Sequence, residues 1–592
     1  MDPACLQFLS KPGGTEDDGV TLESSYHQNT TTTIQRSIKK GSSNLKLIAY
    51  FAFIVLVGHG TISAQLNDDE QKAFSSLTTH IFQSHLKFLA SDLLEGRAPA
   101  TRGDTLAQKY IASQLQLIGL EPGGENATYV QRFPIIGTTA DPSMELIARC
   151  GAMEERFKFR EEFIGFSNLQ EEDIDITNVD VVFVGYGIVA PEQKWDDYKG
   201  VDVKGKVLLM MNDDPPGNDP KFFGGKARTY YGRWTYKYEI AARKGAVGAI
   251  IIHTNESAGY PFQVVQTSWS GENFSLPQSK EESMKLSSWL SESASKRLVT
   301  MAGKDLRTMM KSAQSRKFKP LSLGVKVTVH LHNTIRKLTI ANLGGLLRGS
   351  DPLLSKELVI FSAHFDHLGV VKPVNGDSID NGALDNASGV SMVLTLAEGL
   401  AHLSQRPKRS ILFLLVGGEE AGTLGSEYYA VHPTFPAGKI AADINIDGVN
   451  MFGETRDLSM IGKGRSTIDE AVNAAAKVAR FSVKPDQFPE QGSFYRSDQF
   501  SFAAIGVPTA YFDTGIDFVD KPVGWGKKMA EEYNETDYHQ PSDEIRSEWT
   551  YEGTMQQAKF YFHLAYLVAE NPTMPRWTKG DEFESVRLRE VR

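Results

Sequence analysis

The feature that most constrains this chain lies after Lys337, where short, almost wholly apolar runs alternate with amphipathic ones. "ELVIFSAHFD", "SILFLLVGGEE", "AADINIDGV" and "PTAYFD" read as strands, and "GVSMVLTLAEGLAHL", "TIDEAVNAAAKVARF" and "QQAKFYFHLAYLVAEN" as helices. A strand without polar alternation needs cover on both faces, and helices that alternate with strands supply it by making the strands parallel. The predicted class is α/β: a mostly parallel mixed sheet with helices on both faces.

Upstream the texture differs. From Asp68 to about Gly123, apolar residues recur at three- and four-residue intervals, as in "FSSLTTHIFQSHLKFLASD" and "TLAQKYIASQLQLIGLEPGG"; this is helical spacing. From about Asn178, "VDVVFVGYGI", "GKVLLMMND" and "AVGAIIIHTN" are short β-rich runs bounded by Gly, Asn and Asp, with a helix in "TYKYEIAARKG". The chain of 592 residues exceeds one core. It divides into an N-terminal extension with a targeting signal (1–64), a first part of the main domain (65–162), a small inserted α/β module (163–325), the main part of that domain (326–575) and a C-terminal tail (576–592). In the extension, Arg36, Lys39, Lys40 and Lys46 precede the apolar run Leu47 to Val57, and Ile62-Ser63-Ala64 stands before Gln65. That run is short for a bilayer span, which needs about 20 apolar residues. It reads as a signal-peptide core, with an uncleaved signal anchor as the alternative. The protein is therefore expected to be exported, periplasmic or secreted, or to be held at a membrane only through that segment.

A formal charge of −10 with no basic stripe argues against nucleic acid. With two cysteines, Cys5 and Cys150, no disulfide framework or thiolate metal site is available. What remains is a set of His, Asp and Glu residues at strand ends, where ligands bind in such sheets. The first strand of the second half ends in His364-Phe365-Asp366, the next in Glu419-Glu420 and the third near Asp447. A Gly-rich loop containing Asp385 opens the helix after the first strand, and His539 lies in "DYHQPSD". Singly each is a common surface or capping residue. Together they converge on one edge. Zinc takes imidazole and carboxylate ligands, a two-zinc site needs a carboxylate that bridges both ions, and hydrolysis needs a base that is not itself a ligand.

The strings "LASDLLEGRAPATRGDTLAQKYIASQLQLIGLEPGG", "SAHFDHLG", "DNGALDNASG", "VGGEEAGTLGS", "INIDGVN" and "DYHQPSD" resemble the co-catalytic di-zinc aminopeptidases of peptidase family M28, over about residues 75 to 570. The middle stretch, with "VFVGYGIVAPE" and "AARKGAVGAIIIHT", resembles the protease-associated domain inserted in some members. The resemblance implies the zinc exopeptidase fold, two zinc ions and peptide substrates with a free N-terminus. It implies that Asp385 bridges the ions, that His364 and Asp447 complete one site, and that Glu420 and His539 complete the other. Glu419 would be the general base, Asp366 would orient His364, and the Asp385–Asn386 peptide would be cis. "YRSDQF" departs from the family's Ser-Asp-His, with Gln499 in place of the histidine, and Tyr495 is a candidate for polarising the scissile carbonyl. Removal of a dipeptide or a C-terminal residue, and single-zinc glutaminyl cyclisation, are the alternative chemistries. The full ligand set argues against a silent scaffold.

Overall fold

The computed structural model describes residues 66–277 and 284–590; the extension and targeting segment lie outside the described residues. The four apolar runs of the second half form strands Leu358–His364, Ser410–Val416, Ile440–Asn445 and Thr509–Thr514. They lie parallel in the spatial order 410–416, 358–364, 440–445, 509–514. Successive residues point to opposite faces, so each strand feeds two cores. Val359, Phe361, Ala363, Ile411, Phe413 and Leu415 face the helices Ser388–Ala401 and Glu552–Glu570. Leu358, Ile360, Leu412 and Leu414 pack instead with Tyr429 and Phe502 of two short helices, Leu424–Val431 and Gln499–Ala504. Phe361 and Phe413 stack across neighbouring strands, 5.8 Å between ring centroids. Burying each such ring contributes roughly 1.5–3 kcal/mol.

Antiparallel strands complete the sheet on both sides. Asp457–Ile461 pairs antiparallel with Thr509–Thr514. On the other side the 27-residue strand Leu321–Leu347 pairs antiparallel with Ser410–Val416 through its C-terminal end and with Val130–Ala140 through its middle. These flanking strands are less evident in the sequence, because polar residues such as Thr138, Thr139 and Arg336 interrupt their apolar pattern.

The same long strand also enters a second sheet. Its N-terminal part pairs with Glu145–Cys150 and Asp173–Phe183. Strands Val207–Met211, Gly248–Ile252 and Leu286–Leu290 continue parallel from there, and Phe163–Phe166 closes the edge. An apolar core fills this region from Ala140 to Leu331 and takes in Ile461, Phe494, Phe500, Tyr511, Trp577 and Phe583 from beyond it, whereas the core beneath the first sheet uses residues 73–120 and 343–569. Two boundaries differ from the 163–325 expected. The hairpin Glu145–Cys150 and Met153–Lys158 belongs to the second sheet, because Leu146, Ala148 and Phe157 point into its core. Strand Glu272–Ser275 leaves it and pairs with Ile136–Thr139 of the first sheet. The 576–592 tail also packs on the body as far as it is described: Trp577 donates to the Gly506 carbonyl, and Phe583 is fully buried.

Among the described residues no helix is long and apolar enough to cross a membrane.

Candidate metal centre

The five expected ligands meet at the C-terminal ends of the parallel strands. His364 Nε2 lies 3.2 Å from Asp385 Oδ1 and 3.2 Å from Asp447 Oδ1. His539 Nε2 lies 3.1 Å from Glu420 Oε2 and 3.6 Å from the other Asp385 oxygen, Oδ2. One carboxylate thus divides its two oxygens between two pairs, each made of one imidazole and one further carboxylate. Ligand atoms on a common zinc at about 2.0–2.2 Å stand roughly 3–4 Å apart, so these separations suit the ion.

The surroundings aim each ligand. The Asp385–Asn386 peptide is cis. Asp543 accepts hydrogen bonds from the backbone N–H groups of Leu384 and Asp385. Asn386 donates to the Ile446 carbonyl and accepts from the N–H groups of Gly389 and Gly448, so it clamps the backbone on both sides of Asp447. A Cβ at position 389 would collide with Asn386 Oδ1 and the Ile446 carbonyl, which explains the glycine. Ser497 donates to Asp447 Oδ2 at 2.7 Å and accepts from Asn445, which also donates to Gln499 Oε1. Gln499 is buried and its amide donates to the Phe494 carbonyl. It therefore props a ligand from behind. His367 holds Glu420 Oε1 at 2.6 Å and Asp380 at 2.9 Å, leaving Glu420 Oε2 for His539. His539 itself adopts a left-handed backbone, φ 57°, uncommon outside glycine.

Two expectations change. Asp366 touches His364 mainly through its backbone carbonyl, 3.3 Å from Nδ1, with its carboxylate 3.9 Å away. The carboxylate instead accepts the backbone N–H groups of Glu419 and Glu420, fixing the turn that carries both. Tyr495 does not offer a free hydroxyl: it donates to Glu582 at 2.8 Å, and its ring packs on Phe494, Phe500 and Tyr230. The adjacent Phe494, with Phe500 five residues on, is the signal in the sequence for packing.

Arg97 is a supporting residue that pattern reading passes over. It is fully buried and donates to the backbone carbonyls of Phe365, Leu89, Asn381 and Gly382, tying both ligand loops to the first helices. Burial lowers its pKa to about 10, and the nearby carboxylates of Asp366, Asp543 and Asp385 oppose that fall.

The electrostatics are those of a cation site. Burial pushes Asp385 up, but hydrogen bonds to His364 and His539 prevail and hold it well below the usual carboxylate range. Burial likewise acts upward on Glu420, which His539 and His367 hold at about 2. Burial drives Glu419 well above its ordinary value; His364 opposes this, while Glu420 and Asp498 add to it. His539 Nδ1 and both oxygens of Asp498 are buried without a hydrogen-bond partner. Concentrated carboxylates with imidazole, beside buried polar atoms left unsatisfied, fit a divalent cation.

A second group, Asp173, His330 and His332, also brings its nitrogens and oxygens within ligand reach, but all three residues are exposed. His332 Nδ1 is 2.7 Å from Asp173 and His330 Nδ1 2.8 Å from Asp175.

Comparison with known proteins agrees with this geometry. Residues 342–563, which hold all five candidate ligands, match the model of peptidase family M28. The Streptomyces exfoliatus protein named leupeptin-inactivating enzyme 1 is 27% identical over 175 residues, 28% of this chain and 38% of that one. The mouse protein named aminopeptidase NAALADL1 is 27% identical over 159 residues, 26% of this chain and 19% of that one. The chain thus aligns with well under half the length of these relatives. Among solved structures, the aminopeptidase from Aneurinibacillus sp. strain AM-1 shares the fold, with a TM-score of 0.50 and 18% identity over 85% of this chain and 97% of that one.

Proposed function

We propose that the chain, a member of peptidase family M28 through residues 342–563, is an exported di-zinc aminopeptidase. The division of the Asp385 oxygens between His364 and His539 carries this reading. His364, Asp385 and Asp447 would hold one zinc, and Asp385, Glu420 and His539 the other. Zinc, when bound, activates water at neutral pH and polarises a carbonyl oxygen.

The chain's own part is orientation and proton transfer. Glu419 is the general base: it takes the proton of the attacking water and returns it to the leaving amine as the C–N bond breaks. The turn held by Asp366 supports this role, since it presents Glu419 beside a ligand without making it one. Peptides with a free N-terminus are the proposed substrates. We assign the second sheet, about residues 141–332, to a protease-associated domain; an apolar core built mostly from its own residues supports that. Export rests on the basic and apolar pattern of residues 36–65, which lies outside the described residues.

The test is metal analysis joined to an assay on aminoacyl chromogenic substrates. About two zinc per chain with release of the N-terminal residue is expected; one zinc with cyclisation of N-terminal glutamine, or release of C-terminal residues only, would overturn the reading.

A further inference from the structure

Behind the metal centre, two strands carry a line of polar side chains on one face. Ser362 of Leu358–His364 and Asn445 of Ile440–Asn445 are register partners, and Asp443 shares the Asn445 face two residues earlier. All three are fully buried. Ser362 Oγ lies 2.8 Å from Asp443 Oδ1 and 3.0 Å from Asn445 Oδ1. A hydroxyl has one hydrogen, so it can donate fully to only one of these oxygens.

The far end of the line decides which. The Gln499 amide nitrogen is 3.0 Å from the Phe494 carbonyl and 3.3 Å from the Ser493 carbonyl. Carbonyls only accept, so Gln499 turns its NH2 group to them and its Oε1 to Asn445, 2.8 Å away. Asn445 has to meet that oxygen with its own NH2 group, which also donates to Ser497 Oγ at 2.9 Å. The Asn445 oxygen is left facing Ser362. Ser362 therefore gives its hydrogen to Asn445 and turns a lone pair to Asp443. Two oxygens 2.8 Å apart need a hydrogen between them, and only Asp443 remains to supply it. The setting of Asp443 agrees with this. Its Oδ2 has no hydrogen-bond partner, and among the described residues it forms no ion pair. A buried carboxylate so placed is costly, and a neutral acid far less so. Burial drives the Asp443 carboxyl well above its ordinary range; the Ser362 hydroxyl opposes this and Asp498 adds to it.

We propose that Asp443 is a neutral carboxylic acid at the head of a one-way line of hydrogen bonds, from Asp443 to Ser362 to Asn445 to Ser497, and that Asp443 and Ser362 thereby position Asp447, on which the line ends. Ser497, having accepted from Asn445, keeps its hydrogen for Asp447 Oδ2 at 2.7 Å. An ionised Asp443 would draw the Ser362 hydrogen to itself and leave the Asn445 oxygen against a lone pair. Turning the Asn445 amide over would relieve that contact. It would also set the Asn445 oxygen against Gln499 Oε1 and attract the Ser497 hydrogen away from Asp447. The proton on Asp443 excludes this second arrangement. The role of Asp447 as a zinc ligand comes from the peptidase reading; the proton on Asp443 does not depend on it.

Two measurements keep these apart. Infrared difference spectra between the parent and Asp443→Asn, at a pH where ordinary carboxyl groups are ionised, should show the C=O stretch of a protonated carboxyl in the parent only. Loss of a carboxylate band in its place overturns the neutral acid. Chelator competition tests the line itself. Ser362→Ala should weaken one of the two zinc ions by about 10-fold, at the low end for groups that orient a ligand. In the Ser497→Ala background, where the last link to Asp447 is already cut, Ser362→Ala should have no further effect. A merely structural role for Ser362 would make the two losses add. Additive losses, or parent affinity in Ser362→Ala, overturn the positioning role. If the parent itself binds no zinc, the metal reading falls, while the infrared band still decides the proton on Asp443.

Discussion

The Asp385 cluster and the Asp173–His330–His332 cluster contain the same ligand types within similar reach of one another, yet their settings are opposite. At the first, side chains are from 1% to 18% exposed, and every ligand but His539 has a bond from behind that leaves a chosen oxygen or nitrogen facing inward. At the second, all three residues are exposed on two paired strands, and the imidazoles spend their Nδ1 atoms on Asp173 and Asp175. Ligand identity alone does not distinguish the two. What differs is the supporting structure, which pre-pays the ordering of the first site and leaves the second to pay for its own.

The largest effect that would sharpen this contrast is expected at Glu419 and Glu420. Glu419→Gln should lower kcat by about 10²–10⁴-fold while zinc content stays near wild type. Glu420→Gln should instead lose zinc, since a neutral amide is a poor ligand. Loss of metal in the first variant with retention in the second would reverse the two roles, and full activity in the first would remove the proposed base. Next come the supports. Asp543→Ala frees two backbone N–H groups behind Asp385 and Ser497→Ala removes the bond to Asp447. Each should weaken zinc by about 10–100-fold in chelator competition, without touching a ligand. Unchanged affinity in both would mean that the five side chains hold zinc without help from their surroundings.

At the exposed cluster the expected effects are small. The double variant His330→Ala, His332→Ala should keep the zinc content and activity of the parent; a loss of one zinc would break the comparison. The smallest effect is on stability. A hydrogen bond to Asp173 raises the His332 pKa above its ordinary 6.5. A raised value in the folded state means a contribution present below pH 6.5 and lost as pH rises through the folded value. The gap in melting temperature between parent and His332→Ala should therefore be slight, widest below that pH, and closed above it. A gap that widens with rising pH would contradict the ion pair.

The contrast also explains what the sequence reveals. The parallel strands and the ligands that end them are legible because burial on both faces removes polar residues, so a lone His364 or Asp447 stands out. The supports are illegible for a different reason. Arg97 lies far from the ligands along the chain and acts on carbonyls, for which any position along a loop would serve. The hydroxyl of Ser497 and the amide of Gln499 leave no periodic mark, and only the fold brings them to Asn445. The limits of the second sheet are blurred because one strand serves both sheets, so no polar linker marks the passage from one to the other.

That shared strand has a consequence for how such a chain can be cut and joined. Ala140 and Asn333 are register partners on adjacent antiparallel strands, and residues 141–332 depart and return between them. The whole second sheet therefore occupies the place of a hairpin turn. The core beneath the first sheet takes no residue from that excursion. Replacing it with a two-residue Asn-Gly turn, which suits the twist of an antiparallel pair, would close the strands Val130–Ala140 and Asn333–Leu347 as an ordinary hairpin. The shortened chain would keep His364, Asp385, Glu420, Asp447 and His539, but it would also lose strand Glu272–Ser275 from beside Ile136–Thr139 and uncover Ile461, Phe500 and Tyr511, so the excursion enters and leaves at a loop tip yet is tied to the sheet on which it sits.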